Sequence, residues 1–250
     1  MGKTGPAIAW LGRSRLEGRS RSIYRRRSAS RIPHPTSYCL IQMPISAQHI
    51  RTALTHLRKS DPRMKQVIRE IGPFTHKLGK NRFSMLVDSI LSQQISVAAA
   101  RTIRQRLKDH LGESNFRAES LATCSVDELR SAGVSRQKAG YILDLAGKTV
   151  EGVVNFRGFA KLDNEQIIEQ LTRVKGIGRW TAQMFLMFSM GRLDVFPVDD
   201  LGLQNAMKKI YGLDGTPQKE TYLEIARAWH PYETVASWYC WQSLDNNPGG

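Results

Sequence analysis

The sequence has few cysteines, few acids relative to its bases, and no long apolar run. The three cysteines, Cys39, Cys124 and Cys240, are odd in number and far apart, which fits neither a disulfide framework nor a four-ligand metal site. The histidines also lack metal-ligand spacing. We therefore expect a reducing compartment and no metal. No apolar segment approaches the roughly 18 residues of a membrane span, so no membrane partner is expected.

Acidic residues are the scarcer charged class, with 22 acids against 37 lysines and arginines and a net charge of +15. A positive field of this size attracts polyanions and raises the rate of encounter with them. Nucleic acid is the first partner to consider. The charge alone is explained equally well by a basic surface that is only solvated.

Residues 1–42 lack any helical or strand period and contain a single acid, Glu17, among many arginines and serines. The composition predicts a disordered basic segment that is an arm attracting phosphates, an organelle transit peptide, or a stretch upstream of a true start at Met43. The segment has no apolar core, which argues against export. We expect a cytoplasmic, nucleoid-associated protein, or an organelle or nuclear one if this segment is a targeting signal.

From Ser46 onward, strand alternation is missing and apolar residues recur at helical spacing. Asp61-Pro62 predicts a helix start, with Asp61 as the N-cap, and Gly72 predicts the end of that helix. The fold class is therefore all-α with short loops. Further helices are predicted at about 83–96, 98–111, 126–132, 136–152, 164–173, 179–190, 200–210, 218–229 and 231–242.

The stretch 171–182, LTRVKGIGRWTA, has the pattern of a helix, a tight turn and a second helix. Gly176 and Gly178 permit the turn, and Ile177 is expected to anchor it in the core. Backbone amides at the start of the second helix, including that of Thr181, form a phosphate site to which Lys175 and Arg179 add charge. An ordinary corner between two helices has the same glycine pattern, so the turn alone leaves both interpretations open.

The hairpin and the later segment 196–202, FPVDDLG, together resemble the helix-hairpin-helix plus Gly/Pro–Asp (HhH-GPD) superfamily of base-excision DNA glycosylases. The resemblance covers residues 45–245 and is strongest to the DNA-3-methyladenine glycosylase II group, to which LSQQIS at 91–96 and the tail from Trp229 to Trp241 are also similar. It implies a two-lobed helical domain over 43–250 with the active site in the cleft between the lobes. One lobe, with the hairpin, spans about 84–195, and the other combines about 45–83 with 196–245.

The resemblance places the catalytic carboxylate on Asp200, with Asp199 as its neighbour. Breaking an N-glycosidic bond builds positive charge on the sugar, which a fixed anion stabilises. An aspartate before a helix is usually only an N-cap, and the two roles are compatible.

The same resemblance assigns bond cleavage to water. Bifunctional members of the superfamily carry a lysine nucleophile two residues after the second hairpin glycine, and Trp180 stands there. No strand-cleaving lyase activity is therefore expected, and no cofactor. A monovalent cation at the hairpin carbonyls stays open.

Trp180 and Trp241 match aromatic base-pocket positions of the similar glycosylases, with Tyr239 expected on the same wall. Alkylated purines are cationic, and stacking on indole adds a cation–π attraction on the order of 0.5–2 kcal/mol. Trp229 and Trp238 are expected in the core instead.

Two further DNA contacts are predicted. Gln94 matches the residue that is inserted into the duplex, with Ile95 as the second candidate, in a polar run that interrupts an apolar helix. Ser135 and Lys138, at another helix start, suit a phosphate equally well as a solvated cap.

The expected protein is a monomer that acts on double-stranded DNA with damaged bases. It removes alkylated purines of the 3-methyladenine or 7-methylguanine type. The alternatives are a glycosylase for uracil, mismatched or oxidised bases, and a helix-hairpin-helix module that binds DNA without catalysis.

Overall fold

The computed structural model describes residues 46–76, 78–79 and 81–245, and within them every regular element is helical. The predicted basic segment 1–42 lies outside the described residues. The α-helices are α1 (Ala47–Ser60), α2 (Pro62–Ile71), α3 (Arg82–Ser92), α4 (Val97–Leu111), α5 (Ala118–Ala122), α6 (Val126–Ser131), α7 (Arg136–Val150), α8 (Asn164–Thr172), α9 (Arg179–Phe185), α10 (Leu201–Tyr211), α11 (Lys219–Arg227) and α12 (Glu233–Asp245).

The helices pack in two groups that share one apolar core. Helices α1, α2, α10 and α12 pack against one another, whereas α3 packs against α4, α7 and α9, with α5 and α6 on α7 and α8 on α9. Asp200 stands where the chain leaves the second group and begins α10. Within the described residues, no helix combines the length and the apolar character needed to cross a bilayer.

The predicted start and end of α2 are confirmed, and Asp61 does more than cap it. Its Oδ1 accepts hydrogen bonds from the amides of Arg63 and Met64, at 2.9 and 3.0 Å. Its Oδ2 accepts from the Trp229 indole at 2.9 Å and from the Tyr211 hydroxyl at 2.5 Å. Burial first, and the Asp61 carboxylate second, raise the pKa of Tyr211, so this hydroxyl keeps the proton that it donates. Asp61 thereby ties the start of α2 to the end of α10.

We expect Asp61→Ala to lower the free energy of unfolding by about 2.5–8 kcal/mol, measured by urea denaturation. The change removes a helix cap, about 0.5–2 kcal/mol, and leaves the buried Trp229 indole and the part-buried Tyr211 hydroxyl unpaired, about 1–3 kcal/mol each. Asp163→Ala is the matched control, because Asp163 is exposed and caps α8 through the Gln166 amide at 2.8 Å. Equal losses in both variants would contradict a structural role for Asp61 beyond capping.

The sequence prediction is wrong where α3 and α4 meet. A helix was expected over 83–96, but α3 ends at Ser92 and a turn follows before α4 begins at Val97. The turn contains Gln94 with φ 55, a left-handed conformation that a helix cannot include. Two short elements were also missed, α5 and a 3₁₀ helix at Gly158–Lys161. The helix expected over 179–190 is present, but its second half, Leu186–Met190, is a π-helix.

Candidate active site

Three N–H groups from three helices converge on the carboxylate of Asp200. The Trp180 indole of α9 donates to Oδ2 at 2.7 Å, and the Trp241 indole of α12 donates to Oδ1 at 2.9 Å. The amide of Leu203, in the first turn of α10, also donates to Oδ1, at 2.6 Å. Asp200 is therefore both the N-cap of α10 and the centre of a polar cluster at the junction of α9, α10 and α12.

The neighbouring Asp199 has a different environment. It is exposed, and the Lys219 ammonium binds both of its oxygens, at 2.7 and 3.0 Å. The two carboxylates thus have different partners and exposure although they are adjacent in sequence. Only Asp200 faces the two tryptophans that the sequence placed at the base pocket.

Both tryptophans lie at Asp200, and the third predicted pocket residue does not. Trp180 is partly exposed, while Trp241 is almost buried and has its ring 5.9 Å from that of Phe188. Tyr239 is fully buried, and its hydroxyl donates to the Gly72 carbonyl at 2.8 Å. Its placement on the pocket wall is wrong, because two residues along a helix rotate a side chain by about 200°, to the opposite face. Trp229 and Trp238 are buried, as predicted.

The hairpin between α8 and α9 has the predicted form. Gly176 has φ 81. Gly178 is the N-cap of α9 and, as a glycine, offers no side chain that could bond to the first amides of the helix. Ile177 is buried and anchors the turn. The first amides of α9 have no carbonyl partner within the helix, which leaves them available to a phosphate. Thr181 is 6% exposed, so only its amide, and not its hydroxyl, can take part.

The two hairpin cations differ in availability. Lys175 is exposed, and its own amide donates to Asp144 Oδ2 at 2.8 Å. Arg179 instead pairs with the exposed Glu165, with one guanidinium nitrogen 2.8 Å from Oε2. This ion pair, together with the charge on Asp199, raises the pKa of Arg179. A phosphate that binds Arg179 must therefore compete with Glu165.

The predicted duplex-inserting turn protrudes between α3 and α4. Gln94 is exposed at its tip, and Ile95 is partly buried behind it. Gln93, which was not predicted as a site residue, donates from its side-chain Nε2 to the Gly176 carbonyl at 2.9 Å and so joins this turn to the hairpin.

The predicted phosphate contact of Lys138 is wrong for its side chain. Its ammonium donates to the carbonyls of Leu91 and Gln93, at 2.7 and 2.6 Å, and is half-buried beneath the turn. Ser135 is the N-cap of α7 and accepts the Lys138 amide at 3.4 Å. Asp144 and Lys148 were also missed, although their spacing of four residues on a helix was a readable signal of an ion pair.

Among the residues that the structure describes, no group of three or more His, Cys, Asp or Glu side chains lies close enough together to hold a metal ion. The predicted pocket and the hairpin depend instead on backbone amides, indoles and one carboxylate.

Comparisons with known proteins match most of the described chain. A family model described as HhH-GPD superfamily base excision DNA repair protein matches residues 87–231. DNA-3-methyladenine glycosylase 1 of Schizosaccharomyces pombe is 32% identical over 205 residues, which are 78% of this chain and 90% of that protein. The structure of a DNA-3-methyladenine glycosidase from Bacillus halodurans has a TM-score of 0.73 and 38% identity, covering 78% of this chain and 89% of that one. A structure of the S. pombe 3-methyladenine DNA glycosylase in complex with abasic DNA has a TM-score of 0.68 and 31% identity, covering 78% and 97%.

Proposed function

Because the chain belongs to the HhH-GPD superfamily of base excision DNA repair proteins, we propose that it is a monofunctional glycosylase for alkylated purines in duplex DNA. The products are the free base, of the 3-methyladenine or 7-methylguanine type, and an abasic site. One observation carries the proposal: the two indoles at 180 and 241 bind the same carboxylate, that of Asp200.

The Asp200 carboxylate stabilises the positive charge that develops on the sugar as the base departs. Three N–H donors fix the position of its two oxygens, so little reorganisation is needed when the charge appears. An ion held by indoles rather than by bulk water interacts more strongly with the sugar than it would in solvent.

The indole rings supply selectivity for a cationic base. Trp180 donates its N–H group to Asp200 and stays partly exposed, so a π face of its ring can contact an extruded purine, whereas the nearly buried Trp241 ring holds the carboxylate from within the protein. A methylated purine carries a positive charge that a normal base lacks, and the face of an indole ring attracts this charge. Such a base is also a good leaving group, so the reaction needs neither a dedicated general acid nor a cofactor.

Water is the nucleophile in this proposal. The position two residues after Gly178 holds Trp180, which has no amine to form a covalent sugar adduct, and its N–H is bound to Asp200. The supporting relatives carry the names of 3-methyladenine glycosylases.

The duplex binds across the hairpin and the turn that carries Gln94. Hairpin amides and Lys175 hold a phosphate, with a monovalent cation at the hairpin carbonyls as an optional aid, while Gln94 fills the space that the flipped nucleotide leaves.

The test is base release by the purified full chain from methylated duplex DNA, with duplexes containing uracil or 8-oxoguanine as parallel substrates. We expect release of 3-methyladenine and 7-methylguanine, intact strands until the abasic sites are cleaved by alkali, and no complex trapped by borohydride. A trapped complex would show a covalent mechanism, and release from the uracil or 8-oxoguanine duplex alone would replace the substrate assignment. Binding without release from any duplex would indicate a non-catalytic module.

A further inference from the structure

One face of α7 contacts both elements that the proposed function assigns to DNA. Lys138, Tyr141, Asp144 and Lys148 follow one another at spacings of three, three and four residues, which places them on the same side of the helix. The first of them contacts the turn 93–95, and the other three contact the hairpin. Helix α7 is therefore a rigid support that sets the distance between the two.

At the turn, the Lys138 ammonium binds the carbonyls of Leu91 and Gln93, at 2.7 and 2.6 Å. These carbonyls lie at the C-terminal end of α3, where the helix dipole favours a positive charge. Gln93 is also bound through its side chain, which donates to the Gly176 carbonyl at 2.9 Å. The residue before Gln94 is thus fixed at both its backbone and its side chain.

At the hairpin, the contacts of α7 are made to backbone atoms. Asp144 Oδ2 accepts the Lys175 amide at 2.8 Å, and the Lys148 ammonium bridges this carboxylate at 2.7 Å to the Arg173 carbonyl at 2.6 Å. The ring of Tyr141 lies directly beneath Gly176. The hairpin therefore cannot shift along α7 without breaking these bonds.

Gln94 has a conformation that needs such support. Its φ of 55 is left-handed, which is uncommon for a residue other than glycine and is strained unless neighbouring contacts impose it. Gln94 is exposed, so its own side chain has little to hold it. The constraint comes from Gln93 on one side and from Ser96, the N-cap of α4, on the other.

We propose that Lys138 and Gln93 are positioning residues that hold Gln94 in its left-handed conformation at a fixed distance from the phosphate-binding hairpin. The inference rests on the proposed function, since it assigns a task to the turn that enters the duplex. When the hairpin binds a phosphate, Gln94 therefore reaches the base stack already in its left-handed conformation. Lys138 acts through the turn and contacts no phosphate itself.

The test uses Lys138→Met, with Arg136→Met as a control that removes an exposed cation from the same helix. Single-turnover excision from a methylated duplex gives the rate at saturation and the protein concentration at half-saturation. We expect Lys138→Met to lower the saturating rate about tenfold, because a misplacement of about 1 Å can cost about a hundredfold and the turn, still held by Gln93, should move less than that. The salt dependence of binding to a duplex with a tetrahydrofuran abasic analogue should stay that of the wild type.

Insertion itself is measured by a 2-aminopurine placed opposite the tetrahydrofuran, whose fluorescence rises when the stack opens. Lys138→Met should reduce this rise, and Lys138→Arg, which keeps a cation and several donors, should restore most of it. Gln93→Glu, which replaces the donor by an acceptor facing the Gly176 carbonyl, should have the same effect as Lys138→Met. This second variant carries the test if Lys138→Met fails to fold.

The inference would be overturned if Lys138→Met kept the saturating rate of the wild type and reduced the salt slope of binding by about one. Lys138 would then be a phosphate ligand. Wild-type fluorescence in both variants would overturn it as well. Absence of base release by the wild-type protein counts against the proposed function alone, because the fluorescence measurement does not depend on catalysis.

Discussion

Asp200→Asn is expected to lower base release from methylated duplex DNA by about 10²-fold or more, the scale found when one transition-state electrostatic contact is removed. The amide has almost the same shape but no charge to place near the developing positive sugar. Affinity for a duplex with a tetrahydrofuran abasic analogue should be retained or rise slightly, because a negative charge near the phosphates is lost. The measurements are single-turnover release and fluorescence anisotropy.

Asp199→Asn is the matched control, since it makes the same chemical change one residue earlier. Asp199 is exposed and paired with Lys219, so its loss should leave release within about twofold of the wild type, as expected for a surface ion pair. Equal losses of release in the two variants would mean that general charge, and not the Asp200 site, governs the rate.

The Asp200→Asn variant also tests whether its loss of base release comes from unfolding. Asn is as good an N-cap as Asp, so α10 should keep its start. Its NH₂ group will face one of the indole N–H groups, which we expect to lower the free energy of unfolding by about 1–3 kcal/mol. A protein that unfolds cooperatively, binds DNA and fails to release bases separates chemistry from stability.

The sequence was sufficient for the parts of the site that depend on local pattern. Asp61-Pro62 marked the start of α2, the two hairpin glycines marked the turn, and the resemblance selected Asp200 and Trp180, which the structure joins by a hydrogen bond. In each case, the deciding signal lies within a few residues of the feature. The position of Tyr239 was also decidable, because a helix cannot direct residues 239 and 241 to the same side.

The partners of the cations could not be read from the sequence, because they come from distant segments. Lys138 binds carbonyls nearly fifty positions earlier in the chain, at 91 and 93, and Arg179 binds Glu165 across the hairpin. Their places at helix starts suggested phosphate contacts for both side chains, with a solvated cap as an equal alternative for Lys138, yet each cation is engaged within the protein. Net charge indicates the class of partner, whereas tertiary packing decides which cation is free to meet it.

Gly176→Ala is expected to lower the free energy of unfolding by about 2–5 kcal/mol, from a left-handed backbone penalty of about 1–2 kcal/mol and an overpacking term of about 1–3 kcal/mol. An added Cβ would clash with the Tyr141 ring at Cδ2 and Cγ, close to where the ring joins the backbone of α7, so the ring cannot yield as a flexible chain end does. Urea denaturation measures the loss. DNA binding by the folded fraction should also weaken, because displacement of the turn moves the amides that would hold the phosphate.

Gly152→Ala separates the two causes. Gly152 has φ 77, close to that of Gly176, but an added Cβ there would meet nothing within 4 Å, so only the backbone penalty of about 1–2 kcal/mol applies. Combining Gly176→Ala with Tyr141→Ala should recover part of the loss, so that the double variant is more stable than the sum of the single effects predicts. Simple additivity would show that the ring does not limit the hairpin. Recovery of stability together with DNA affinity would show that the close contact of Gly176 with α7 sets the position of the phosphate-binding amides.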